Sequence, residues 1–254
     1  MSETFLTVII PCYNELENLK RGVLDQVEKY LKDQPFSWEV IISDDASTDG
    51  SAELTQKLIN QKPGFRLIKN QKGGKAFAIK SGIEGAKGKY VLFSDMDQST
   101  PLTEFKKFEP FLAKNADLVI GSRGYKRENF PLLRRIGSPL FLTFRRLIIL
   151  PRVKDTQCGF KCFKTAVARK VFSLLTIFKR SRGSGWRVGA WDVELLFVSQ
   201  KLGFHINEVP VIWRDQDTST SKERKFVGES VEMLKEVLRV RKNDLAGKYD
   251  QKPL

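Results

Sequence analysis

This chain of 254 residues contains a single histidine, His205, and only three cysteines, Cys12, Cys158 and Cys162. Cys158 and Cys162 lie four apart with no histidine or further cysteine nearby, so the ligands for a zinc site are missing. An odd set of thiols reads as three reduced cysteines in a reducing compartment. His205 opens a strand-like run and reads as a surface residue. Long apolar runs are missing too: the uncharged stretch Ile136 to Phe144 is nine residues, far short of the roughly 20 that span a bilayer. The N-terminus passes into the strand-like Thr7-Val8-Ile9-Ile10 without a basic leader or an apolar signal core. Neither a signal peptide nor a transmembrane helix is expected. No Gly-x-Gly-x-x-Gly follows the first strand and no Gly-x-x-x-x-Gly-Lys-Ser/Thr occurs anywhere, which disfavours dinucleotide and P-loop chemistry.

Acids are scarce relative to bases: 44 Lys and Arg face 30 Asp and Glu, a net charge of +14. Nine bases and one acid, Glu128, fall in the 32 residues from Arg123 to Lys154, so +8 of the +14 is local. Such an excess points to an anionic partner meeting one surface. Hydrophobic residues at 41% supply a core, and the length suits one large domain or a domain with an appendage.

Strand-length apolar runs recur at Phe5 to Ile10, Trp38 to Ile42, Phe65 to Ile68, Tyr90 to Phe93 and Asp117 to Ile120. Amphipathic stretches such as Leu16 to Leu31 and Ala52 to Asn60 separate them. Alternation of this kind predicts an α/β fold whose mostly parallel sheet is covered by helices on both faces. After Gly121 come a basic apolar segment near Phe130 to Leu150, a Gly/Arg-rich loop at Lys179 to Gly189 and a helix near Trp191 to Lys201. A strand at His205 to Trp213 and a helix near Glu223 to Arg241 follow, then a polar tail expected to fray.

Ligands of open parallel sheets gather at the carboxyl ends of the strands, and here those ends are acidic. Strand one runs into Pro11-Cys12-Tyr13-Asn14-Glu15, strand two into Asp44-Asp45-Ala46-Ser47-Thr48-Asp49, strand four into Asp95-Met96-Asp97. Carboxylates crowded at one edge repel, and a hard divalent cation, Mg²⁺ or Mn²⁺, relieves the repulsion. Helix capping is the competing use for these aspartates, and it is the expected use of Asp49. Lys72-Gly73-Gly74-Lys75 stands where a helix begins after strand three, as an approach to phosphate or as a plain turn.

Taken together, these segments resemble the family 2 inverting glycosyltransferases of GT-A (Rossmann-like) fold, from Thr7 to about Lys222. Asn70 to Lys75 shares that likeness, and Gly121-Ser122-Arg123, Arg134-Arg135, Asp155-Thr156-Gln157-Cys158-Gly159-Phe160-Lys161 and Trp191 to Leu196 are similar to the polyprenyl-phosphate sugar transferases. The string from Asp155 to Lys161 is most like the dolichyl-phosphate glucosyltransferases. The resemblance implies a catalytic domain over 1–222, including the acceptor-facing segment 123–154, followed by a C-terminal helix and tail over 223–254. It implies a nucleotide sugar held near Pro11, Tyr13, Glu15, Asp44 or Asp45, with Lys75 and Asp95 beside it and Asp95 and Asp97 on the metal. Mannosyl relatives often carry a glutamine ligand two residues after the second aspartate, where this chain has Ser99, so UDP-glucose is favoured over GDP-mannose as donor.

The acceptor implied is a polyprenyl phosphate, gripped by Arg123 and by Arg134 or Arg135, since arginine forks suit phosphate. Leu132, Leu133, Leu140, Phe141, Phe144, Leu147 and Ile148 would meet lipid in a basic amphipathic interfacial helix, with a solvated core helix as the alternative. Trp213 to Lys222, Ser221 included, is similar to the family's acceptor loop. Asp192, where relatives with hydroxyl acceptors carry a base, is assigned to sugar positioning or to a helix start. Attachment is expected at the cytoplasmic face of a membrane, peripherally, alone, as a homo-oligomer or with a membrane-embedded partner. Two rival readings remain. A nucleic-acid-binding module explains +14 but not the strand-end acids, and nucleic acid is not an expected partner. A haloacid-dehalogenase-like phosphohydrolase would use Asp95-Met96-Asp97, but three βα units precede it.

Overall fold

The computed structural model describes residues 3–123, 149–179, 191–214, 216 and 226–250, with the backbone alone for 226–233. Its centre is a seven-stranded sheet of β1 (Leu6–Cys12), β2 (Trp38–Asp44), β3 (Phe65–Lys69), β4 (Tyr90–Phe93), β5 (Leu118–Ser122), β6 (Lys161–Lys164) and β7 (Ile206–Pro210). The order is β3-β2-β1-β4-β6-β5-β7, parallel except where β6 runs antiparallel between β4 and β5. Side chains of β1 alternate between two cores. Val8 and Ile10 pack with Leu24, Val27 and Phe105 on one face, and Ile9 packs with Ile79, Ile83 and Phe93 on the other. A strand buried on both faces reads as an unbroken apolar run, which is why the segment shows no polar alternation.

The chain steps from β1 outward to β2 and β3, then returns to lay β4 on the other side of β1. Loops leaving β1 and β4 therefore diverge, opening the crevice in which such sheets bind ligands. The stretch expected as one helix from Leu16 to Leu31 is two, α1 (Leu16–Lys20) and α2 (Val23–Lys32). Gly22 at φ 77° separates them, a left-handed conformation that ends the first. The helices α3 (Ser51–Ile59), α4 (Lys75–Gly85), α5 (Glu109–Ala113) and α6 (Thr165–Leu174) follow, then α7 (Trp191–Lys201) and α8 (Phe226–Leu245). A 3₁₀ turn at Leu102–Lys107 follows Pro101.

The tail beyond α8 does not fray at once. Tyr249 is buried and its hydroxyl donates to Glu194 at 2.7 Å. Glu194 on α7 is wholly buried and collects Thr176 N (2.9 Å), Thr176 Oγ1 (2.5 Å) and Arg239 Nη2 (3.1 Å) as well. The Arg239 guanidinium, Thr176 and Tyr249 outweigh burial and hold the Glu194 carboxyl below its ordinary range. This cluster fastens α8 and its extension to the helix that carries Asp192. The basic segment 124–148, with Arg134, Arg135 and the apolar residues assigned to lipid, and Ser221 lie outside the described residues.

Candidate active site

Each parallel strand of the first half is followed by a residue at positive φ. Asn14 (φ 54°), Ala46 (φ 59°) and Gln98 (φ 52°) follow β1, β2 and β4, and Gly74 (φ 100°) follows β3. For residues with a Cβ this conformation costs about 1 kcal/mol or more, and it clusters at functional sites. It turns the acidic loops back over the strand ends.

Asp44 and Asp45, adjacent in sequence, do different work. Asp44 receives Ser47 Oγ at 2.5 Å and Ser47 N at 3.2 Å, which closes the loop after β2. Asp45 is wholly buried, and its two oxygens accept the amides of Gly73 and Gly74, each at 2.8 Å. Burial raises its carboxyl above the ordinary range, against the pull of these two amides. Those amides are thus committed to Asp45. Lys72 bonds the Tyr13 hydroxyl and lies 4.2 Å from the centre of its ring. Asp49 accepts from Ser51 N (2.9 Å) and Leu16 N (3.1 Å), tying the starts of α3 and α1, as capping predicts. Glu15 is buried and accepts from Asn18 Nδ2 at 2.6 Å, while Pro11 lies buried within β1 opposite Ser43. Asp45→Ala should leave two adjacent amides unsatisfied and lower stability in urea denaturation by about 2 kcal/mol or more.

At the end of β4, Lys75 Nζ stands 2.5 Å from Asp95 Oδ1. Burial opposes the Lys75 charge, yet Asp95, Asp192 and Asp97 together raise its pKa above the ordinary lysine value. Asp95 pairs with this ammonium directly, and Asp192 and Asp97 act on it through their charge. Asp97 accepts Ser99 N at 2.8 Å. Burial, then Asp95 beside it, push its carboxyl up, the signature of like charges gathered in low dielectric. Gly159 faces Asp95 so closely that a Cβ there would lie 2.1 Å from Oδ2. Among the described residues no group of three or more His, Cys, Asp or Glu converges as ligands. An all-oxygen pair with inadequate local counter-charge fits a hard divalent cation that takes its remaining ligands from substrate or water.

Asp192 accepts Lys161 Nζ at 2.6 Å, and that lysine is buried on β6. Arg123 forks onto Asp155 through Nε (2.7 Å) and Nη2 (2.9 Å), lies 5.8 Å from the Trp213 ring, and holds Asp155 well below the usual carboxylate range despite burial. Glu208 on β7 fixes that loop by accepting Asp155 N at 2.7 Å and Lys154 N at 2.9 Å. Sequence reasoning named Arg123 without its partner. Lys161, Gly159 and Arg21 went unassigned, the last donating to the Asp97 carbonyl at 2.7 Å. No periodicity marks such residues, because each acts across 30 or more positions.

The family model described as glycosyl transferase family 2 matches residues 7–172. The chain belongs to this family. Dolichyl-phosphate beta-glucosyltransferase of Dictyostelium discoideum is 36% identical over 96% of this chain and 76% of its own length. The proteins of that name from Saccharomyces cerevisiae and Homo sapiens are each 31% identical, covering 97% and 84% of this chain and 77% and 68% of their own. Among solved structures, a glucosyl-3-phosphoglycerate synthase of Mycobacterium tuberculosis with Mn²⁺, uridine diphosphate and product superposes with a TM-score of 0.62 at 19% identity. It covers 98% of this chain and 81% of that one. A mannosyltransferase of Pyrobaculum calidifontis with GDP-mannose and Mn²⁺ gives 0.58 at 18% identity, over 94% and 65%. These likenesses establish the GT-A fold for this family 2 chain.

Proposed function

We propose that the chain transfers glucose from UDP-glucose to a polyprenyl phosphate of dolichyl type, with inversion at the anomeric carbon. The observation that carries this reading is the similarity to dolichyl-phosphate beta-glucosyltransferases along 84–97% of the chain. It is joined to the acidic edge at which Lys75 pairs with Asp95 and feels the charge of Asp192 and Asp97. Asp95 and Asp97 would hold Mg²⁺ or Mn²⁺, which when bound neutralises charge on the departing diphosphate. Lys75 adds a second cation at the same place and holds Asp95 in position. Asp45 acts on the donor through the glycine loop it anchors, and Tyr13, Glu15 and Asp44 line the nucleotide side. Lys161 fixes Asp192 toward the sugar. The attacking phosphate oxygen is already anionic, so the site needs no strong general base.

Arg123 receives the acceptor phosphate while Asp155 aims its fork. An arginine carries five N–H donors, so binding Asp155 through two leaves others for phosphate. Arg123→Ala should raise acceptor demand or slow transfer about ten- to a hundredfold, the worth of a charge-assisted contact of roughly 1.5–3 kcal/mol. Nucleotide-sugar affinity, measured by calorimetry without lipid on folded variant, should scarcely move. A comparable loss of donor binding would place the guanidinium on the diphosphate instead.

The reading is tested by incubating the protein with UDP-glucose, GDP-mannose and other UDP- and GDP-sugars, a short polyprenyl phosphate and Mn²⁺ or Mg²⁺, and weighing the lipid. A hexose adduct formed best from UDP-glucose supports it. Preference for GDP-mannose would transfer the chain to the mannosyl branch.

A further inference from the structure

The outer face of α8 carries three of the four exposed large hydrophobic side chains among the described residues: Leu234 (38% exposed), Leu238 (50%) and Leu245 (75%). At about 100° per residue, Leu238 and Leu245 fall about 40° and 20° from Leu234, so the three form one stripe along the helix. Val240 and Asn243 point the other way, into the core, and Val237 is buried at the edge of the stripe. Basic residues border the stripe. Lys235 and Lys242 are exposed on one flank, and Arg241 is exposed between Leu234 and Leu245. Of the acids of this stretch, Glu236 pairs with Arg239 (2.5 Å), and Asp244 pairs with Lys201 (2.5 Å) and with Arg241 itself (2.8 Å).

We propose that this face of α8 is a docking surface for an anionic lipid bilayer, additional to the segment 124–148. The occupant follows from the position of Arg241. In a helix–helix seam, with a second copy or another protein, its guanidinium would be buried amid leucines at the centre of the contact, with only a surface pair to Asp244 in compensation. At a bilayer the aliphatic stem lies along the apolar boundary while the head reaches lipid phosphate. Leucines on one strip with lysines beside it match the chemistry of an interfacial helix on anionic lipid. Because Glu194 ties α8 to α7, such docking would also hold the Asp192 helix at a fixed disposition to the membrane.

All three native cysteines are buried, so Leu238→Cys introduces a selectively labelled thiol. With an environment-sensitive fluorophore there, emission of the full chain should shift to the blue on adding phosphatidylcholine vesicles containing phosphatidylserine, and return as salt is raised. The double variant Leu234→Gln, Leu238→Gln, with helix content verified by circular dichroism, should bind these vesicles about tenfold more weakly, equivalent to about 1.4 kcal/mol. Vesicle binding without a spectral shift, or undiminished binding by the double variant, would overturn the proposal. So would a blue shift in buffer alone that grows with protein concentration, which would assign the face to a second copy. Transfer to a short acceptor in detergent is measured separately, so failure of the glucosyltransferase reading would leave the membrane result standing, and the reverse holds too.

Discussion

Gly159→Ala should abolish transfer as thoroughly as removing the Asp95 carboxylate, although alanine is the smallest side chain that can be added. A Cβ at this position would stand 2.1 Å from Asp95 Oδ2 and 2.7 Å from its carboxyl carbon, well inside van der Waals contact. Asp95 is also held by Lys75 at 2.5 Å, so moving the carboxylate aside disturbs that pair as well. Displacing it removes one of the two aspartates available for the cation and leaves the Lys75 ammonium facing Asp97 and Asp192 alone. The expected loss is at least a hundredfold in kcat, about 2.7 kcal/mol of barrier, with circular dichroism and nucleotide-independent stability nearly unchanged. Asp95→Asn and Asp97→Asn should fall in the same range. Gly159→Ala activity within about tenfold of wild type would show that Asp95 is not at the reacting centre.

Glu194→Ala should be the most destabilising single change among the carboxylates. Glu194 is wholly buried and receives donors from Thr176, Arg239 and Tyr249. Truncation leaves the Arg239 guanidinium on Glu236 alone and takes the buried acceptor from Thr176 and Tyr249, and breaking a buried pair in this way costs about 3–5 kcal/mol. Urea denaturation monitored by fluorescence measures it. The pH dependence carries a definite sign. The folded-state pKa of Glu194 is depressed, so its stabilisation is complete above the unfolded value of about 4.3 and is lost as pH falls through the lower folded value. The gap between wild type and variant should therefore be full at neutral pH and close in acid. Lowered stability with wild-type specific activity at low temperature would confine Glu194 to holding the fold, whereas a parallel fall in kcat would show that α8 positions the Asp192 helix.

Much of the scaffold was legible because β1 to β5 are apolar runs of strand length interrupted by amphipathic stretches, and the residues that follow β1, β2 and β4 are acidic. What escaped was non-local. Strand β6 is the four residues Lys161-Cys162-Phe163-Lys164, too short and too charged at its ends to read as a strand. Its buried lysine is tolerable only because Asp192, 31 positions away, supplies the counter-charge. Asp45 reads like its neighbour Asp44, and only the fold reveals that it anchors Gly73 and Gly74 from beneath. The tail was expected to fray because it is polar, yet Tyr249 is pinned by a glutamate 55 residues earlier. Arg123 was assigned through the family resemblance of Gly121-Ser122-Arg123 within a basic segment, whereas the Asp155 that aims it was visible only as one residue of a familial string.

The central claim is inverting transfer of glucose to a polyprenyl phosphate at the edge built by Asp95, Asp97, Lys75 and Asp192. Its most direct measurement is the anomeric configuration of the glucosyl lipid made from UDP-glucose, read from the coupling of the anomeric proton by NMR. The account predicts a β-linked glucosyl phosphate from the α-linked donor, lost in Asp97→Asn. An α-linked product, or release of free glucose with no lipid adduct, would contradict it.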